Sequence, residues 1–111
     1  MPCFLRAAVL FALCASPAAA AVIRTPECQR DLAVADQLIG GIRQRETRLN
    51  AAIGRNDTTA ACGFLRENAR DMAGARERMY RCMTGFEQRE NIGQIDASLG
   101  DIRAVLAARC K

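Results

Sequence analysis

The stretch TPECQRDLAVADQLIGGIRQRETRLNAAIGRND, residues 25–57, decides the fold. Thr25-Pro26-Glu27 reads as a helix start, with a hydroxyl to cap an early backbone N–H and a proline whose missing N–H costs nothing in the first turn. From there Cys28, Leu32, Ala35, Ile39, Ile42, Leu49 and Ile53 recur at steps of three and four. That spacing is the mark of a helix burying one face. Glu46 interrupts the stripe, and Gly40-Gly41 is a place where the helix could kink or split, since each Gly costs about 1 kcal/mol relative to Ala. Gly54-Arg55-Asn56-Asp57 then reads as a turn in which Asn56 or Asp57 caps the next helix.

The same pattern returns downstream. Cys62, Leu65, Ala69, Met72, Met79, Cys82 and Phe86 form a second stripe, into which Arg76 intrudes. Thr84-Gly85-Phe86-Glu87 matches a capping box and predicts a third helix start. The third stripe is Ile92, Ile95, Leu99, Ile102 and Leu106, ending at Cys110, with Gly93, Ala97, Gly100 and Ala104 as a row of small residues suited to close helix approach. No repeat, linker or low-complexity tract interrupts residues 22–111. The expectation is a single all-α domain, an antiparallel up-down-up three-helix bundle.

Working outward to the N-terminus, Met1 to Ala21 reads as a secretory signal peptide. Arg6 is the positive n-region, Ala7 to Ala15 a short apolar core, and Pro17 breaks it before Ala18 to Ala21. These alanines offer A-x-A cleavage just before Ala21 or Val22. The apolar run falls short of the roughly 20 residues a membrane span needs. Lipidation of Cys14 is disfavoured by the large Leu13 beside it. Ala-rich and short, the leader points to a bacterial periplasmic or secreted protein with no later transmembrane segment. Cys3 and Cys14 leave with it, so Cys28, Cys62, Cys82 and Cys110 remain, an even set in a short exported chain and therefore a disulfide framework. Their wide spacing does not suit zinc, which favours close pairs.

Helical geometry selects among the three possible pairings. Cys62 and Cys82 would lie about 30 Å apart on one helix, whereas a disulfide spans Cα separations of about 4.4–6.8 Å. In an antiparallel hairpin, residues at one level are symmetric about the turn. Cys28 and Cys82 are symmetric about position 55, inside the first turn, and Cys62 and Cys110 about position 86, beside the capping box. Pairs 28–62 and 82–110 centre in the middle of helices. The expected bridges are Cys28–Cys82 and Cys62–Cys110.

The inventory of reactive groups is thin. The chain has no His and therefore no imidazole base, Ser-His-Asp or Cys-His pair. Ser98, the one serine after the leader, has no evident base. Met72, Met79 and Met83 read as core filler rather than a copper site, and no cofactor or metal is implied. Asn56-Asp57-Thr58 is a glycosylation sequon only in a eukaryotic pathway, and the capping role accounts for it. By level, Glu46 faces the neighbourhood of Arg66, and Arg76 faces Asp96; structural ion pairs are expected at both.

Charge is more informative. Arg6 alone leaves with the leader, so sixteen basic residues become fifteen against twelve acidic. Residues 43–71 and 100–111 share one end of the bundle and hold nine basic groups against five acidic, whereas the remainder is slightly acidic. Arg45, Arg48, Arg55, Arg66, Arg103, Arg109 and Lys111 form the candidate partner-binding end. Nucleic acid is not expected, because no aromatics are interleaved for stacking. Three readings follow. The first is a non-enzymatic interaction module of the bacterial periplasm or envelope, engaging an unknown protein or an anionic envelope component. The second is a basic helical protein active at a membrane or envelope surface, and the third, ranked last, is an enzyme of unspecified type.

Overall fold

The computed structural model describes residues 21–111. The expected leader, with Cys14 and its expected cleavage motif up to Ala20, lies outside the described residues. Three helices follow in order: α1 Pro26–Gly54, α2 Thr58–Cys82 and α3 Gly85–Arg109. They run antiparallel, with α2 packed against both neighbours and most extensively against α1. Disulfides join Cys28 to Cys82 and Cys62 to Cys110, with Cα–Cα distances of 5.2 and 5.7 Å. The symmetry about the two turns places these pairs as expected.

Local chemistry sets the helix ends. Thr25 Oγ1 accepts from the Cys28 N–H at 3.2 Å, and Pro26 opens α1. Arg55 closes α1, Asn56 takes a left-handed φ of 56°, and Asp57 Oδ1 caps α2 by accepting from the Ala60 N–H at 3.1 Å. Gly40-Gly41 neither kinks nor splits α1, which is continuous over 29 residues. The third start differs from the expected box. Thr84 is the N-cap of α3 but makes no side-chain capping bond. Its backbone N–H donates to the Ala21 carbonyl at 3.0 Å, so Glu87 has no N–H there to accept from. Ile23 N–H donates to the Cys82 carbonyl at 2.9 Å, and Val22 bridges Met83, so residues 21–23 strap the second turn.

The buried stripe of α1 drifts by one residue from its expected track. Ala35 and Ala52 are fully buried, whereas Ile53 is 56% exposed. Glu46 is exposed and Arg45 takes the inward position. At this end the inward face is set by the contacts with α2, where Arg45 meets Asn68 and Asp71, rather than by the alternation of threes and fours. Phe86 also leaves the α2 stripe and is 68% exposed, because the turn at Met83–Gly85, with Gly85 at φ +66°, resets the helical phase.

The core is made of small side chains. Ala35, Ala75 and Met79 form its centre, with Leu32, Leu38, Ile39, Met83, Ile92 and Ile95 packed around them. Close approach occurs between α1 and α2, not along α3. A Cβ on Gly74 would lie 3.2 Å from Leu38 Cδ1. Gly93, Ala97, Gly100 and Ala104 are exposed instead, and nothing lies within 4 Å of a Cβ built on Gly93 or Gly100. The expected α3 stripe holds, with Leu99 buried and Ile92, Ile95, Ile102 and Leu106 half-buried.

Candidate functional site

The residues expected to form the basic end divide by what the fold does with them. Arg45 is withdrawn from the surface. Its side chain is 13% exposed and projects from α1 onto α2, where Nη1 donates to Asn68 Oδ1 at 2.6 Å and Nε meets Glu67 Oε2 at 3.1 Å. Nη2 pairs with Asp71. Asn68 is buried, so without this donor its carbonyl oxygen would lack a partner, and such a group costs about 1–3 kcal/mol. Gly41 makes the room: a Cβ there would sit 3.1 Å from Arg45 Nη2. Arg45 is therefore a structural tie between α1 and α2. Glu46, the expected charged intruder, makes no ion pair among the described residues, and its anticipated partner Arg66 is engaged elsewhere.

The remaining cations stay at the surface around the first turn and the C-terminal end of α3. Arg48 lies over the Phe64 ring, 5.6 Å from its centroid, a cation–π contact that fixes the side chain without neutralising it. Arg66 Nη2 donates to the Cys110 carbonyl at 2.9 Å, satisfying a carbonyl at the C-terminal end of α3. Arg55 pairs loosely with Asp57 at 3.6 Å. Arg109 and Lys111 are exposed beside the Cys62–Cys110 bridge and make no ion pair among the described residues. Arg103 stands apart from this group, beside Arg76 and Asp96 on the α2–α3 face.

The bridge between Cys62 and Cys110 separates two hollows. One, of about 470 Å³, is lined mainly by apolar residues, among them Ala52, Ile53, Leu65 and Val105, with Arg109 at its edge. The other, of about 230 Å³, is polar and lined by Thr58, Thr59, Arg66, Arg109 and Lys111. Both include Cys62, Cys110, Thr58 and Arg109 in their walls, so they adjoin across the disulfide. Ile53 and Val105 remain 56% and 43% exposed. Sequence reading placed Ile53 in the core and left Val105 aside; an apolar residue off every stripe, such as Val105, is the signal that could have marked this hollow.

In the opposite half of the molecule Arg76, Arg78 and Arg81 face carboxylates, while Arg24, Arg30 and Arg89 make no ion pair among the described residues. Asp31 accepts from Arg81 Nη2 at 3.1 Å and faces Arg78 Nε at 4.0 Å, and Arg81 also pairs with Glu77 at 2.8 Å. Arg76 and Asp96 meet as the level rule expects, with Arg76 Nη2 donating to Asp96 Oδ2 at 3.1 Å beside a second bond from Nε. These hydrogen bonds hold the Asp96 carboxyl below its usual range and raise Arg76 above its own. Met79 is buried in the core, and all four described cysteines are oxidised. Among the described residues no helix is long and apolar enough to cross a membrane. Comparison with known proteins finds no matching family model, no matching characterised protein and no matching solved structure.

Proposed function

We propose that the chain is an exported, non-enzymatic interaction module of the bacterial periplasm or envelope, and that its basic end engages an anionic partner. The observation that carries this is the charge balance of the two ends: residues 43–71 and 100–111 hold nine basic groups against five acidic, whereas the rest of residues 22–111 holds six against seven. Arg76, Arg78 and Arg81 each face a carboxylate, and Arg45 faces two. Arg48, Arg109 and Lys111 face none among the described residues. An exposed excess of cations attracts anionic surfaces and speeds encounter with them.

The side-chain inventory argues against catalysis as the main role. There is no imidazole, and the described cysteines are in bridges. Two stapled hairpins supply a rigid platform, which lowers the ordering cost of binding. The test is photo-crosslinking from single surface positions on the mature protein in intact cell envelopes. A discrete crosslinked partner, lost on charge reversal at Arg48 and Arg109, is the expected result. Absence of any adduct from every surface position overturns the reading.

A further inference from the structure

The twin hollows at the Cys62–Cys110 bridge define more than a basic surface. One is lined mainly by apolar residues and the other by Arg66, Arg109 and Lys111, and the two share Thr58, Arg109 and the disulfide in their walls. Resting on the interaction-module reading, we infer that this end docks a partner protein through a segment in which an apolar residue stands next to an acidic one. The apolar residue enters between Ile53, Leu65 and Val105. The carboxylate meets Arg109 and Lys111, with Arg66 already oriented by its bond to the Cys110 carbonyl.

One feature favours a protein segment over lipid. The apolar hollow is open to solvent, and Ile53 and Val105 in its wall remain 56% and 43% exposed. An acyl chain lying there would stay wet along one side, whereas a folded partner covers the rim as well as the floor. The single carboxylate at the apolar edge, Asp57, already faces Arg55 and the first N–H groups of α2, so it does not repel an acidic segment strongly.

The experiment uses the mature, oxidised protein and a defined probe, a short fluorescein-labelled peptide of repeated Leu-Glu-Glu, followed by anisotropy. The wild type binds this peptide in a salt-sensitive manner. Ile53→Asp weakens binding about tenfold, and so does Arg109→Glu with Lys111→Glu. Both sites are exposed, and unchanged melting curves show that the variants are folded. Replacing every Glu of the probe by Gln, or every Leu by Ala, costs at least as much. No binding of the parent peptide, or binding indifferent to Ile53→Asp, overturns the inference. Binding to phosphatidylglycerol vesicles that ignores Ile53→Asp assigns the basic end to membrane and also overturns it. Palmitate that displaces the peptide mole for mole does the same in favour of free lipid.

A photo-crosslinker separates this from the broader reading. Placed at Val105 it should capture the partner, with Ser98, in the groove between α1 and α3, as the comparison position. Adducts from Ser98 alone keep an interaction module but remove this docking site. Adducts from neither position count against both.

Discussion

Consider replacing Cys62 and Cys110 together by alanine. The bridge closes a loop of 48 residues, for which the chain-entropy relation gives about 4 kcal/mol of stabilisation. The Cys28–Cys82 bridge closes 54, which by the same relation is worth about the same. Packing makes the two losses differ in place rather than in size. α3 contributes a single fully buried side chain, Leu99, whose burial supplies about 1.5–3 kcal/mol, while α1 is seated on α2 through Ala35, Ala52 and the Arg45 cluster. A domain of about 90 residues has some 5–15 kcal/mol in all. Losing about 4 kcal/mol should therefore lower the melting temperature by roughly 15–30 °C, read by far-ultraviolet circular dichroism. Hydrogen exchange should show protection lost first around Leu106 and Ile102, spreading toward Ile95, with α1 retained. In the Cys28–Cys82 variant the loss should begin instead at the strap and at Leu32. A melting shift below about 5 °C, or protection lost evenly over all three helices in both variants, would refute this division of labour.

Three further outcomes are specific. Arg45→Met should cost about 2–3 kcal/mol in urea unfolding, because it strands Asn68 and Asp71, whereas Arg48→Met should cost less than about 1; equal losses would remove Arg45 from the interior. The Arg76 bond lowers the folded pKa of Asp96, so its contribution is complete above the unfolded value of about 3.9 and fades as pH falls through the lower folded one. Asp96→Asn should then melt below wild type near neutrality and converge with it in acid, and a gap constant with pH contradicts the assignment. Gly93→Ala should stabilise by about 0.4–1 kcal/mol, since nothing crowds a Cβ there, but Gly41→Ala should not, because it pushes on Arg45 Nη2; identical effects would show that Gly41 is not holding that space open.

Symmetry about a turn needs only counting, which is why the two disulfides, the helix order and the Arg76–Asp96 pair are legible in the sequence. The turn residues also announced themselves: Thr25, Pro26 and Asp57 do at the helix ends what their side-chain chemistry favours. Phase was harder. A stripe of alternating threes and fours can be continued through either Arg45 or Glu46, and charge alone favours neither. What decides it is the partner helix: position 45 is level with 65 across the turn, and the long Arg45 side chain, leaning back over Gly41, reaches Asn68 and Asp71. The small residues of α3 misled for a related reason. Composition shows that helices can approach closely, but not which face a neighbour occupies, and the close contact went to Gly74 and Ala75 of α2. The capping box failed through a long-range competitor, the Ala21 carbonyl, which no local motif could reveal.

A core of alanines with Met79 and Leu99 gives modest hydrophobic stabilisation, since burial scales with the area removed from water. The fold compensates with two covalent ties and with arginines turned inward or sideways onto carboxylates. One consequence bears on the basic end. Because stability rests on the bridges, on Arg45 and on the Ala35–Ala75 contact, Arg48, Arg109 and Lys111 carry little of it. Exposed cations without a carboxylate partner contribute nothing by ion pairing and repel one another weakly across solvent. Reversing Arg109 and Lys111 should therefore leave the melting temperature within a few degrees of wild type, or raise it slightly, while it removes the carboxylate subsite. A large fall in stability would show instead that these side chains are held in place for the fold, and the charge at this end would then need no partner to explain it.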